Sequence, residues 1–212
     1  MPDAHLAQQF DDPAQQREAA KLGMWVFLMS EILFFGGMFT AYITYRVDHP
    51  IAWVIASHHL DFWLGTTDTA LLLISSLTMA LAVHSAQEGS RWVTALFLTL
   101  TMILGLLFLG IKFFEYAKHY GEGLFPGFNF TYKGPYQREI FLFMSFYFTM
   151  TGWHAIHMIV GLGLLSGMLA ITLAGKFSKA WHNPIVITGL YWHFVDIVWI
   201  FLYPCFYLVN TR

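Results

Sequence analysis

Five apolar runs, at about 22–45, 66–86, 92–117, 139–174 and 184–209, constrain this chain more than any other feature of its sequence. A bilayer core of about 30 Å takes about 20 helical residues, and every run reaches that length. None alternates with period two, and each is too long for a strand, so a transmembrane β-barrel is excluded. Composition agrees: 57% of residues are hydrophobic and 11% charged, whereas soluble domains carry about 25% charge. The chain therefore reads as an all-α integral membrane bundle of five transmembrane helices. Residues 1–21 form a polar N-terminal tail and 22–212 the membrane domain. The fourth run is too long for one perpendicular crossing, so its first turns, from Glu139, project beyond the membrane or the helix tilts.

The tail contains Asp3, Asp11, Asp12, Arg17, Glu18 and Lys21. It lacks the short apolar core and cleavage site of a secretory signal, so the first run reads as an uncleaved anchor. Asp48 to Gly65 reads as an interfacial loop, Lys118 to Arg138 as irregular structure rich in Gly and Pro, and Gly175 to Lys179 as a tight turn. Trp25, Trp53, Trp63, Trp92 and Trp181 fall near span ends, where an aromatic belt is expected. Gly36 with Gly37, and Gly163 with Gly167, are steps at which another helix can approach closely. The lone Cys205 excludes an internal disulfide and reads as a packed thiol. A net charge of −2 speaks against a nucleic-acid partner. Basic residues divide evenly between the two sides and give no orientation.

Ionisable groups at membrane depth are costly and mark specific contacts. His193 and Asp196 lie three apart in the middle of the last run. Glu31 sits at a similar depth in the first run, and His154 and His157 one turn apart in the fourth. Together Glu31, His154, His157 and His193 are expected to meet in one polar layer, or else each to bond a neighbouring hydroxyl or carbonyl. Lys112 and Glu115 read as a mutual ion pair, with Lys112 able to snorkel to the headgroups. Asp68 reads as a charge at the start of the second helix, with a proton-path role as the alternative, and His84 as a polar residue packed against another helix.

The motif Tyr191-Trp192-His193-Phe194-Val195-Asp196-Ile197-Val198-Trp199-Ile200-Phe201-Leu202-Tyr203 resembles the last-helix signature of subunit III of the haem–copper oxidases. Three further segments are similar to that family in the same order. They are Met24 to Glu31, ending in Ser-Glu; Gly110 to Tyr116, ending in Glu-Tyr; and Ser145 to His157, carrying Thr-Gly-x-His-x-x-His. The two extra leading helices of the mitochondrial form have no counterpart, so the resemblance is to the short five-helix bacterial version. It implies a V-shaped bundle with a lipid-holding cleft between helices 1–2 and 3–5. It further implies a non-catalytic role beside the catalytic subunit I and subunit II, with small subunits or a cytochrome-reducing complex as further neighbours. Haem and copper then belong to those partners, and this chain holds phospholipid but no cofactor. The N-terminus is cytoplasmic and the C-terminus periplasmic by the same resemblance, in a bacterial inner membrane.

Glu31, Lys112, Glu115, His154, His157, Trp192, His193 and Asp196 are the candidate lipid-binding or proton-linked residues, with Trp192, His193, Glu31 and Lys112 lining or capping the cleft. Neither a catalytic nor a metal-ligating set is expected. The electron donor of such a complex, cytochrome c or quinol, stays open, and an accessory subunit of a nitric oxide reductase is an alternative. Two readings from other classes also compete. Three histidines on facing helices suit a haem or metal protein. Glu31 and Asp196 suit a small proton-coupled transporter, although internal repeats and broken helices are absent.

Overall fold

In a computed structural model, residues 8–127, 129–175, 177 and 181–209 are described, and they form six helices and one short hairpin. The helices are α1 (Pro13–Asp48), α2 (Pro50–Ser57), α3 (Phe62–Glu88), α4 (Arg91–Gly121), α5 (Gln137–Leu173) and α6 (Asn183–Phe206). Strands β1 (Leu124–Phe125) and β2 (Asn129–Phe130) pair antiparallel, Leu124 opposite Phe130. Five of the helices, all but α2, are long and apolar enough to cross a membrane. The chain is an all-α membrane bundle, as its sequence implies.

Local chemistry sets the helix ends. The Asp12 carboxylate accepts from the Gln15 backbone N–H at 2.7 Å, with Pro13 at the first helical position. Helix α1 therefore starts inside the stretch that reads as a tail. Asp61 accepts from the N–H groups of Trp63 and Leu64, so α3 opens at Phe62. Asp68 is thus well inside the helix, which corrects its assignment as a terminal charge. Gly89, at φ 81, closes α3 in the left-handed conformation. Within 48–65, Pro50 opens the short helix α2 where a loop was expected. Part of the turn 175–179 (Lys176, Ser178 and Lys179) lies outside the described residues.

Helix α5 spans 37 residues, about 55 Å at 1.5 Å per residue. Its first turns are covered on one side, because Phe143 packs edge-on to Trp53 of α2 and Phe141 to Phe130 of β2. That cover explains why the apolar run exceeds one bilayer crossing. Trp53 is fully buried there and not in an interfacial belt, whereas Trp25, Trp63 and Trp92 are exposed.

Successive spans run antiparallel, and α6 is the most enclosed of the five. Its Trp192 fills the centre of the body. A Cβ on Gly105 of α4 would lie 2.8 Å from that ring, and one on Gly161 of α5 3.0 Å. Gly189 likewise admits Val83 of α3, at 2.9 Å. With Gly65 of α3, which faces Tyr207, these are the close approaches among the described span glycines. A Cβ on Gly36, Gly37, Gly163 or Gly167 would meet nothing within 4 Å among the described residues, so no helix of this chain uses those steps.

Helix α3 belongs to the same body as α4 and α6. Hydroxyl pairs Thr78–Thr101 (2.8 Å) and Ser85–Thr94 (2.9 Å) tie it to α4. Trp192 Nε1 donates to Ser75 Oγ, Trp199 Nε1 to Thr69 Oγ1, and Thr66 bonds the Tyr203 hydroxyl, tying α3 to α6. Helix α1 instead lies along α5 and α6, through Phe34–Trp153, Phe35–Phe194 and Tyr42–Phe206. The helices consequently part between α1 and α6, and the expected division between spans 1–2 and 3–5 is not present. Tyr42 donates its hydroxyl hydrogen to the Cys205 carbonyl, closing one end of this seam.

Candidate functional sites of the bundle

Polar side chains gather in separate places, and the largest group is a buried ionic cluster where α3, α4 and the end of α6 meet. Lys112 Nζ lies 2.6 Å from Glu115 Oε2, 2.7 Å from the Tyr207 hydroxyl and 2.9 Å from Asp68 Oδ2. All three ammonium donors thus have a neighbour. The Asp68 approach is off hydrogen-bond alignment, so that contact is an ion pair. Tyr207 accepts from Lys112 and donates to Glu115 at 2.8 Å. Its ring rests where a Cβ on Gly65 would lie 2.6 Å away, so only glycine at that position of α3 lets the Tyr207 hydroxyl reach the lysine. Asp68, Lys112, Glu115 and His119 are all at most 3% exposed. The mutual pair of Lys112 and Glu115 is as expected; the snorkelling of Lys112 to headgroups is not seen, because the lysine is enclosed.

Buried charges survive only when paired and hydrogen-bonded. Asp68, His119 and Tyr207 were not singled out for this cluster from the sequence. Depth along the helices is the signal in the sequence that marks Asp68. Asp68 is six residues past Phe62, about 9 Å into α3, and Lys112 nine residues before Gly121, about 14 Å into antiparallel α4. The two charges therefore stand at comparable levels on neighbouring helices.

The second group joins α1 to α5. Glu31 Oε2 lies 3.0 Å from His157 Nε2, and His157 Nδ1 is 2.8 Å from the Trp153 carbonyl. The Tyr191 hydroxyl donates to the His157 carbonyl at 3.0 Å. Glu31 and His157 side chains keep 19% and 13% of their surface, so this pair sits at the edge of the body. The other two histidines of the expected layer point elsewhere. His193 Nδ1 is 2.7 Å from Ser76 Oγ of α3. His154 is fully buried between Phe108 and Trp199, and neither ring nitrogen has a partner among the described residues. The single four-residue layer is therefore replaced by three sites. Two residues three apart on α5 diverge enough in direction to meet different helices.

Asp196 is 3% exposed, and among the described residues neither of its oxygens has an aligned hydrogen-bond partner, although Ser76 of α3 faces it across the α3–α6 contact. Trp192 is fully buried. His84 pairs with Glu88 at 3.4 Å on an exposed face, against the expectation of a packed position. Among the described residues, no group of three or more His, Cys, Asp and Glu side chains is arranged to hold a metal ion.

Between α1 and α6 runs a groove of about 620 Å³. Trp25, Ile32, Phe39 and Ile43 line it from α1, and His193, Ile197 and Phe201 from α6. Of the cleft residues read from the sequence only His193 is among the lining. From Trp25 to Ile43 the groove follows 18 residues of α1, about 27 Å, close to the full hydrocarbon thickness. The outer faces of α1, α3 and α4 are studded with exposed large apolar side chains, among them Leu33, Leu77 and Phe113, as a membrane-embedded body requires.

Fold and polar groups together define a five-span integral membrane protein whose ionisable side chains mostly close on one another. Residues 10–211 match the family model described as cytochrome c oxidase subunit III, and the chain belongs to that family. It is 28% identical over 208 residues to the probable quinol oxidase subunit 3 of Staphylococcus haemolyticus, covering 98% of this chain and 97% of that one. It is 31% identical over 191 residues to the cytochrome c oxidase subunit 3 of Branchiostoma lanceolatum, covering 87% and 67% respectively. The chain is thus the non-catalytic third subunit of a respiratory haem–copper terminal oxidase, associated with that complex in a membrane.

Proposed function

We propose that this subunit holds phospholipid chains in the α1–α6 groove and, through that lipid layer and its own packing, keeps the catalytic subunit in a state that takes up protons and survives turnover. The groove is the observation that carries this reading. It has the volume of a ligand site, is lined almost wholly by apolar side chains, and runs about 27 Å along α1, enough for acyl chains entering from either leaflet. Glu31 with His157, and His193 with Ser76, are the polar pairs beside it, and they are the proton-linked candidates of this reading. Subunits I and II are the partners that supply haem, copper and oxygen chemistry. The membrane is the bacterial inner membrane, with the N-terminus cytoplasmic and the C-terminus periplasmic.

The test is a groove-filling substitution, Gly36→Trp, in the assembled oxidase. Gly36 lines the groove and a Cβ there would meet nothing within 4 Å, so the indole is directed into open space. Expected are loss of tightly held phospholipid in mass spectrometry of washed complex and a shortened active lifetime. Unchanged lipid content with unchanged lifetime overturns the proposal. Cytochrome c and quinol both remain candidates for the electron donor of the whole complex, since relatives bearing either name match this chain. Supplying the purified complex with each donor decides between them.

A further inference from the structure

The Lys112 cluster has more acid than base. Two carboxyls, Asp68 at 0% and Glu115 at 1% exposure, share one ammonium, Lys112 at 3%. The other titratable groups facing it are Tyr207 beyond α6, Tyr147 of α5, whose hydroxyl is 3.2 Å from that of Tyr207, and His119 of α4. Tyr116 is turned away to Thr151, and Lys118 is exposed. Such a set is neutral only when one carboxyl keeps its proton or His119 takes one, and an unbalanced buried charge is costly.

A second observation points out of the cluster. His119 is 1% exposed, its Nε2 has no hydrogen-bond partner among the described residues, and that atom is 4.0 Å from Glu115 Oε1. Its other nitrogen, Nδ1, is 3.3 Å from Oε2 of Glu122, whose side chain is 42% exposed. The imidazole therefore stands between the buried carboxyls and water.

We propose that Asp68, Lys112 and Glu115 form a binding site for one exchangeable proton, connected through His119 and Glu122 to the aqueous phase at the end of the bundle where α1 finishes and α3 begins. In the loaded state the proton is on a carboxyl oxygen and the cluster is neutral. On release a rotation of His119 closes the 4.0 Å gap, Nε2 accepts that proton, and the Nδ1 proton passes to Glu122 and then to water. The cluster is left with two carboxylates and one ammonium, a charge of −1, which draws the next proton. Uptake runs the same relay in reverse: Nδ1 accepts a proton from Glu122 and Nε2 gives its own to the carboxylate, which restores the starting tautomer of His119. This site is separate from the lipid groove, and its test does not depend on lipid.

The measurement is infrared spectroscopy of the assembled oxidase, reading the carbonyl band of protonated carboxyls and its shift on transfer to heavy water. Neutralising either acid, as in Asp68→Asn or Glu115→Gln, leaves one carboxylate paired with Lys112. Each variant is expected to lack one protonated-carboxyl band that the unaltered complex shows. His119→Phe keeps that band and slows its exchange at least tenfold. If Asp68→Asn does not assemble, Glu115→Gln reads the same band. A spectrum unchanged in an assembled single variant means both carboxyls are already ionised and overturns the proposed site; exchange at the unaltered rate in His119→Phe overturns the proposed outlet.

Discussion

At the scale of single residues, the bundle is governed by how each ionisable side chain avoids facing hydrocarbon alone. Lys112 has three polar neighbours within 2.9 Å, and removing it strands two carboxyls. Lys112→Met is expected to destabilise the subunit by about 3–5 kcal/mol, the usual cost of breaking a buried pair. Neutralising all three groups, with Asp68→Asn and Glu115→Gln added, restores most of that loss, because no unpaired charge remains. Thermal unfolding of the two variants in detergent checks the difference. At the α1–α5 seam, Glu31→Gln keeps a hydrogen-bonding group against His157, so assembly survives. Glu31→Ala leaves Nε2 of that imidazole without its partner and costs about 1–3 kcal/mol. Normal oxygen-consumption rates and lifetimes in Glu31→Gln indicate packing alone, whereas slowed proton uptake or earlier inactivation indicates a proton-linked role.

Outside the spans, His59 packs edge-on to Tyr132, and burial lowers its proton affinity below the ordinary value of 6.5 more than nearby Glu122 raises it. The folded state therefore favours the neutral ring. Its contribution to stability is complete above the ordinary histidine value and is lost as pH falls below it, through the lowered folded value. Denaturation midpoints taken from neutral to acidic pH are expected to decline less steeply in His59→Phe than in the unaltered chain.

At the scale of elements, the spans were legible because hydrocarbon thickness dictates their length, and the five runs coincide with the five long helices. Their ends were less legible. The Asp12 and Asp61 caps and the short helix α2 rest on single side chains beside polar stretches that read equally well as loop. Helix adjacency was not legible either. Thr78–Thr101 and Trp192–Ser75 join helices through residues common in any membrane span, so nothing in the local sequence shows that α3 packs into the main body. The glycines illustrate the same limit. Small residues permit close approach, yet only Gly65, Gly105, Gly161 and Gly189 among the span glycines meet a side chain. Gly105→Val or Gly161→Val is expected to clash with Trp192 and destabilise the bundle by about 1–3 kcal/mol. Gly163→Ala should be close to neutral in the isolated subunit. Unfolding curves showing equal effects at the three positions would contradict the packing described.

At the scale of the whole molecule, the body of α3 to α6 is closed by aromatic and ionic contacts, while α1 stands partly away and leaves a groove of about 620 Å³. The family was legible from the motifs, and the candidates His157, His193, Lys112 and Glu115 do fall at polar contacts. Their division into separate sites depends on which face each helix turns inward, and that is a property of the assembled bundle. The proposed role, holding lipid in that groove and steadying a neighbouring subunit, belongs to this scale. The most direct measurement of that claim is the time course of oxygen consumption by the oxidase with and without this subunit, followed until activity ceases. The account predicts an initial rate largely retained without the subunit, an active lifetime shortened severalfold, and recovery of that lifetime on adding the subunit back. Complete loss of initial oxygen reduction from an otherwise intact complex, or a lifetime indifferent to the subunit, would contradict it.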